Sequence, residues 1–151
     1  MGGPFPEGSG VTKHLLIVED NPHDLELART ALELSEVECE VQVARDGQEA
    51  LDLLRQAEGL PDLVLLDLNM PRVSGHEVLQ RVKNDELLRR VPVVVFTTSS
   101  EPSDQAACAA AGADDYVVKP GGFEDLIETL NALGRRWLAN AKTPLRLLSV
   151  L

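Results

Sequence analysis

Glu19, Asp20, Asp67, Thr97, Thr98 and Lys119 carry the functional groups from which phosphoryl chemistry can be assembled. Three carboxylates brought near one another repel, and they raise each other's pKa unless a cation compensates them. Hard oxygen ligands of this kind favour Mg²⁺, which keeps several waters and commonly sits beside phosphates. With such an ion in place Asp67 becomes a candidate nucleophile, because carboxylates attack phosphorus to form aspartyl phosphates. A transferring phosphoryl group also needs its equatorial oxygens neutralised. The metal can take one, Lys119 a second, and the Thr97 hydroxyl with backbone N–H groups past Asp67 a third.

These residues lie far apart in the chain, so the elements that carry them must bring them together. Most close a short apolar run: HLLIVE (14–19), LVLLD (63–67), VPVVVFT (91–97) and DYVVK (115–119). A fifth run, CEVQVA (39–44), leads into the turn Ala44-Arg45-Asp46-Gly47. Amphipathic stretches of helical length fill the intervals at 22–36, 47–57, 74–84, 102–111 and 123–138. Strands alternating with helices predict βαβ units and a five-stranded, doubly wound parallel sheet. The runs 63–67 and 92–96 are apolar throughout, as expected when helices cover both faces. Ligands of such a sheet bind beyond the carboxyl ends of the strands. The polar groups therefore converge on one edge.

Local signals agree with this layout. Asn21-Pro22 reads as an N-cap followed by proline in the first turn, with Asp24 and Glu26 near the positive end of the helix. Ser74-Gly-His-Glu77 has capping-box spacing. In 22–36, Leu25, Ala28, Leu32 and Ser35 share a stripe that Leu27, Ala31 and Leu34 widen. Gly112 should end the Ala-rich helix.

Taken singly, each group has a plainer role. Asp67 could cap a helix or bind a ribose, and Glu19-Asp20 could be turn acids. Lys119 could be a surface lysine, and Thr97 to Ser100 a polar loop. Joint placement on successive strand ends separates the readings, since unrelated roles would scatter over both edges. Two other uses of the fold lack their parts. A dinucleotide site needs glycines after the first strand, where this chain has EDNPHD, and a P-loop needs a Gly-Lys pair that occurs nowhere.

Bulk properties exclude further classes. The 151 residues suit one domain. Acidic residues number 25 against 14 basic, a net charge of −11 that repels nucleic acid and anionic lipid. No apolar run reaches a membrane span, and the start has no signal-peptide pattern. Cys39 and Cys108 form no CxxC, which favours buried thiols in a reducing cytosol. His14, His23 and His76 have neither zinc spacing nor a nearby cysteine, so no structural zinc is expected.

The stretches LLIVEDNPHD (15–24), LVLLDLNMPRVSG (63–75), VPVVVFTTSS (91–100) and AGADDYVVKP (111–120) resemble, in order and separation, the receiver domain of two-component response regulators. The resemblance spans 14–137. It implies a flavodoxin-like fold with strand order 2-1-3-4-5. It also implies that Asp67 is the phosphoacceptor for a phosphohistidine on a sensor kinase. Asp20, Asp67 and the backbone carbonyl of Asn69 would be Mg²⁺ ligands, with Glu19 acting mainly through water. By the same resemblance Thr97 is the switch hydroxyl, Lys119 the phosphate-pairing lysine and Tyr116 the aromatic switch residue. The Lys119–Pro120 bond corresponds to one that is usually cis in the family. Within the family, NPHD, LDLNMP, the double Thr of VVVFTTSS and RRWL (135–138) are similar to stand-alone regulators that partner phytochrome-type histidine kinases.

The chain departs from that pattern in two places. Gly121-Gly122 intervene before Phe123, which loosens the lead into the last helix. Thr98 stands where a small alanine is common. Its branched side chain is expected to narrow water access to the acyl phosphate, a lifetime that Thr98→Ala would leave unchanged if the expectation fails.

The expected organisation is a flexible tail at 1–13, the receiver at 14–138 and an apolar extension at 139–151. A cytoplasmic homodimer is expected, formed on the side of the fourth helix, fifth strand and fifth helix with the extension contributing. Output would be by binding a kinase, a phosphotransfer protein or another target. Two alternatives stay open: a dimeric adaptor that does not use phosphorylation, and a small Mg²⁺-dependent phosphatase. The latter usually wants Asp-x-Asp, where this chain has Asp67-Leu68-Asn69.

Overall fold

The computed structural model describes residues 12–56 and 59–138. The expected tail and C-terminal extension fall, apart from Thr12 and Lys13, outside the described residues. Five strands, β1 (Lys13–Val18), β2 (Cys39–Ala44), β3 (Leu63–Leu66), β4 (Val93–Thr97) and β5 (Asp115–Val118), alternate with five helices. The helices are α1 (Pro22–Leu34), α2 (Gly47–Gln56), α3 (Gly75–Lys83), α4 (Pro102–Ala111) and α5 (Phe123–Leu133). The strands pair in parallel in the order β2-β1-β3-β4-β5.

Alternation along the strands divides the core in two. Leu16, Val18, Val64, Leu66 and Val95 meet Leu51, Val78, Leu79 and Cys108 from α2, α3 and α4. Leu15, Ile17, Leu63, Leu65, Val94 and Phe96 meet Leu25, Leu32, Leu126 and Leu130 from α1 and α5. Every residue of β3 and β4 is buried, which is why those runs carry no polar alternation.

The helix stripes are narrower than their sequences predict. In α1, Leu25, Ala28, Ala31 and Leu32 are buried, but Leu27 and Leu34 stay exposed because α1 touches the sheet along one line only. The last helix is expected to run unbroken to 138. Instead α5 ends at Leu133, and Gly134–Leu138 form one wider π-helical turn. Gly134 packs against Val37, where an added Cβ would lie 2.4 Å from Val37 Cγ2, so only glycine allows that approach. Asn21 caps α1 through bonds from His23 N–H and Asp24 N–H, and Gly112 ends α4 at φ 101°. Ser74 caps α3, but the Glu77 carboxylate pairs with Arg81 at 2.5 Å. Cys108 is a buried thiol, while Cys39 is only half-buried. Among the described residues, no helix is long and apolar enough to cross a membrane.

Candidate functional site

Register places the site. Val18 lies beside Ala44 and Leu66, so the residues that follow them emerge at one level. Three backbone bonds carry the alignment one residue past the strands: Glu19 N–H to Ala44 O (2.9 Å), Asp67 N–H to Val18 O (3.1 Å) and Lys119 N–H to Thr97 O (2.7 Å). Glu19, Asp20 and Asp67 each present a carboxylate oxygen, all within 4.8 Å of one another, an arrangement able to hold a metal ion. Glu19 is 4% exposed, Asp67 8% and Thr97 0%, whereas Asp20 is half-buried.

Burying anionic groups this close has a visible electrostatic consequence. Desolvation, reinforced by the Asp67 charge and opposed by Lys119, holds the Glu19 carboxyl above its ordinary range. Desolvation pulls Lys119 down, but its bond to Glu19 and the attraction of Asp67, Glu19 and Asp24 carry it above the usual lysine range. The ammonium donates to Glu19 Oε1 at 2.5 Å and to Asp24 Oδ2 at 3.2 Å, and it lies 6.0 Å from the Phe96 ring centre. Asp24 is the partner that sequence reasoning missed. Its place in the first turn of α1 was legible, but only the packing of α1 beside β5's exit turns it toward Lys119.

The remaining predicted residues are distributed around this cluster. Thr97 Oγ1 accepts from Ser99 N–H at 3.4 Å. The half-buried Tyr116 donates its hydroxyl to Ser99 O at 2.9 Å, and burial raises its phenol above the ordinary range. Thr98 is exposed and, with Lys119, Pro120 and Leu126, lines a cavity of about 110 Å³ on the α1–α5 side. Asn69 is exposed at the start of the loop after Asp67. Among the described residues no peptide bond is cis, so Lys119–Pro120 is trans, the isomer the chain prefers unless its surroundings select against it.

The loop after Asp67 returns tightly on itself. Gly75 N–H donates to Leu68 O at 3.0 Å, Arg72 adopts φ 64° and pairs with Asp46. A Cβ on Gly75 would lie 2.2 Å from the Asp67 carbonyl oxygen and 2.6 Å from Leu68 Cα, both backbone atoms that cannot swing aside. Gly75→Ala should therefore cost about 2 kcal/mol and displace the loop beside the cluster. A urea midpoint equal to that of the parent would contradict this.

Profile comparison matches the response regulator receiver domain family over residues 15–131, and the chain belongs to that family. Receiver domains are the phosphorylation-based signalling modules of two-component systems. The probable methanogenesis regulatory protein FilR2 of Methanothrix harundinacea is 41% identical over 134 residues, 86% of each chain. The phosphorylated cyanobacterial phytochrome response regulator RcpA is 37% identical, with a TM-score of 0.80 over 89% of this chain and 99% of its own. The bacteriophytochrome response regulator AtBRR is 45% identical, with a TM-score of 0.68 over 82% of this chain and 93% of its own. The chain is thus related to phytochrome-associated response regulators.

Proposed function

We propose that Asp67 accepts a phosphoryl group from a phosphohistidine of a sensor histidine kinase, of the phytochrome type, and that the phosphorylated chain signals by protein–protein interaction. The observation that carries this reading is the approach of the Glu19, Asp20 and Asp67 carboxylates within 4.8 Å, with the Lys119 ammonium bonded to one of them. An all-oxygen anionic donor set fits Mg²⁺. Asp20, Asp67 and the Asn69 carbonyl would hold it, with Glu19 behind them. When bound, Mg²⁺ supplies positive charge that offsets both the carboxylates and the incoming phosphoryl oxygens.

In the transfer, an Asp67 carboxylate oxygen forms the new bond to phosphorus. The bond from phosphorus to the donor imidazole nitrogen breaks, and that nitrogen keeps the electron pair. Lys119 lies within electrostatic reach of Asp67 and stabilises charge on the phosphoryl oxygens. Thr97 turns its hydroxyl hydrogen toward them, and Tyr116 follows as the aromatic member of the switch. Homodimerisation belongs to the same reading. Val118 and Phe123, 40% and 37% exposed, offer apolar surface on the α4–β5–α5 side. A monomer mass by light scattering of the full chain would remove that part.

The test is incubation with acetyl phosphate and Mg²⁺, followed by intact mass. One added phosphoryl group per chain, dependent on Mg²⁺, supports transfer to Asp67. Release of phosphate from many monoesters supports the phosphatase alternative. Neither result supports the adaptor.

A further inference from the structure

Every polar group of Ser99 is engaged. Its N–H donates to Thr97 Oγ1 (3.4 Å) and its carbonyl accepts the Tyr116 hydroxyl (2.9 Å). Its own hydroxyl donates to Asp104 Oδ2 at 2.6 Å while accepting from Glu101 N–H at 3.3 Å. One residue thus holds both proposed switch groups, and its side chain is tied to α4.

The tie continues into a third element. The second oxygen of Asp104, Oδ1, lies 3.3 Å from His76 Nε2 on α3, and His76 Nδ1 lies 3.9 Å from Cys108 Sγ. A single tautomer satisfies both contacts: Nε2–H donates to Asp104, and Nδ1 accepts from the thiol. Burial raises the Cys108 thiol above its ordinary range, which keeps the S–H donor in place. Sequence reasoning gave His76 no cysteine partner. The two are 32 positions apart and meet only because α3 and α4 pack side by side.

We propose that Asp104, oriented by His76, is a positioning residue for the phosphorylation switch: by fixing Ser99 it sets the Thr97 hydroxyl and the acceptor of Tyr116 together. Thr97 Oγ1 accepts from Ser99 N–H, so its own hydrogen remains to be donated toward a phosphoryl oxygen on Asp67. A Ser99 held in one place therefore pre-orients that hydrogen, and a loosened Ser99 leaves the hydroxyl to rotate. Asp104 acts through Ser99 and touches no reacting atom. The role rests on the assignment of Asp67 as phosphoacceptor.

The test uses the full chain as parent, Asp104→Ala, Asp104→Asn and Ser99→Ala. Asp104→Ala should speed amide hydrogen exchange at Ser99 about tenfold, the equivalent of one lost hydrogen bond. It should also slow phosphorylation by acetyl phosphate. Ser99→Ala, which cuts the tether at its other end, should slow phosphorylation to the same degree. Asp104→Asn keeps a carbonyl oxygen able to accept from the Ser99 hydroxyl, its amide N–H is met by His76 Nε2 in the other imidazole tautomer, and it should restore both readouts. Unchanged Ser99 exchange in Asp104→Ala overturns the tether. Faster exchange with an unchanged phosphorylation rate overturns the positioning role. A parent that takes up no phosphoryl group overturns the Asp67 assignment and the positioning role with it, while the exchange readout still judges the tether.

Discussion

Asp67→Asn should abolish phosphoryl uptake from acetyl phosphate while raising the stability of the metal-free protein. The loss follows from chemistry: an amide oxygen is not the anionic nucleophile that forms an acyl phosphate. The gain follows from the charge count of the cluster. Glu19, Asp24 and Asp67 act on the ammonium of Lys119, and Asp20 adds a further carboxylate beside Glu19 and Asp67. The Asp67 charge is among the causes that raise Glu19, so its removal relieves repulsion between buried groups. A gain of about 1 kcal/mol is expected without divalent cation, typical of a functional site that is held at the expense of stability. Adding Mg²⁺ should stabilise the parent more than the variant, because the variant has lost an anionic ligand. Urea unfolding in chelator and in Mg²⁺ reads all these effects. An Asn variant that is less stable than the parent in chelator would contradict the electrostatic account.

Lys119→Met should be the most destabilising single change at this edge, by about 3 kcal/mol at neutral pH. Methionine keeps the stem but withdraws the charge, leaving Glu19 and Asp67 buried together without their cation. The Lys119 and Glu19 side chains are 12% and 6% exposed, so water cannot replace the lost partner. The sign of the pH dependence follows from the two shifts. Glu19 is raised in the fold, so its contribution is complete below its ordinary value of 4.5 and is lost as pH rises through its folded value. Removing Lys119, which lowers Glu19, raises that folded value further. The deficit of the variant should therefore shrink as pH falls from neutral toward 4.5. Lys119 itself is raised, so its contribution is complete below 10.5 and is lost as pH climbs through its folded value. The deficit should shrink on that side also. A difference that stays flat between pH 4.5 and 7 would contradict the account in which the uncompensated carboxylates carry the effect.

The amino-acid order by itself determined the class of fold and the edge on which the acidic cluster gathers. Short apolar runs ending in Glu19, Asp67, Thr97 and Lys119 are local patterns, and a parallel sheet leaves those ends on one side. The caps at Asn21 and Gly112 were legible for the same reason, since each involves only neighbouring residues. What the sequence could not supply was the choice among partners. Lys119 has several carboxylates within reach, and its bonds to Glu19 and Asp24 depend on how α1 is set against the end of β5. The exposure of Leu27 and Leu34, the widened turn at Gly134 and the path from Cys108 through His76 and Asp104 to Ser99 share that origin. Each is decided by contacts between elements distant in the chain, where side-chain volume and geometry select one arrangement from several that the local sequence permits equally.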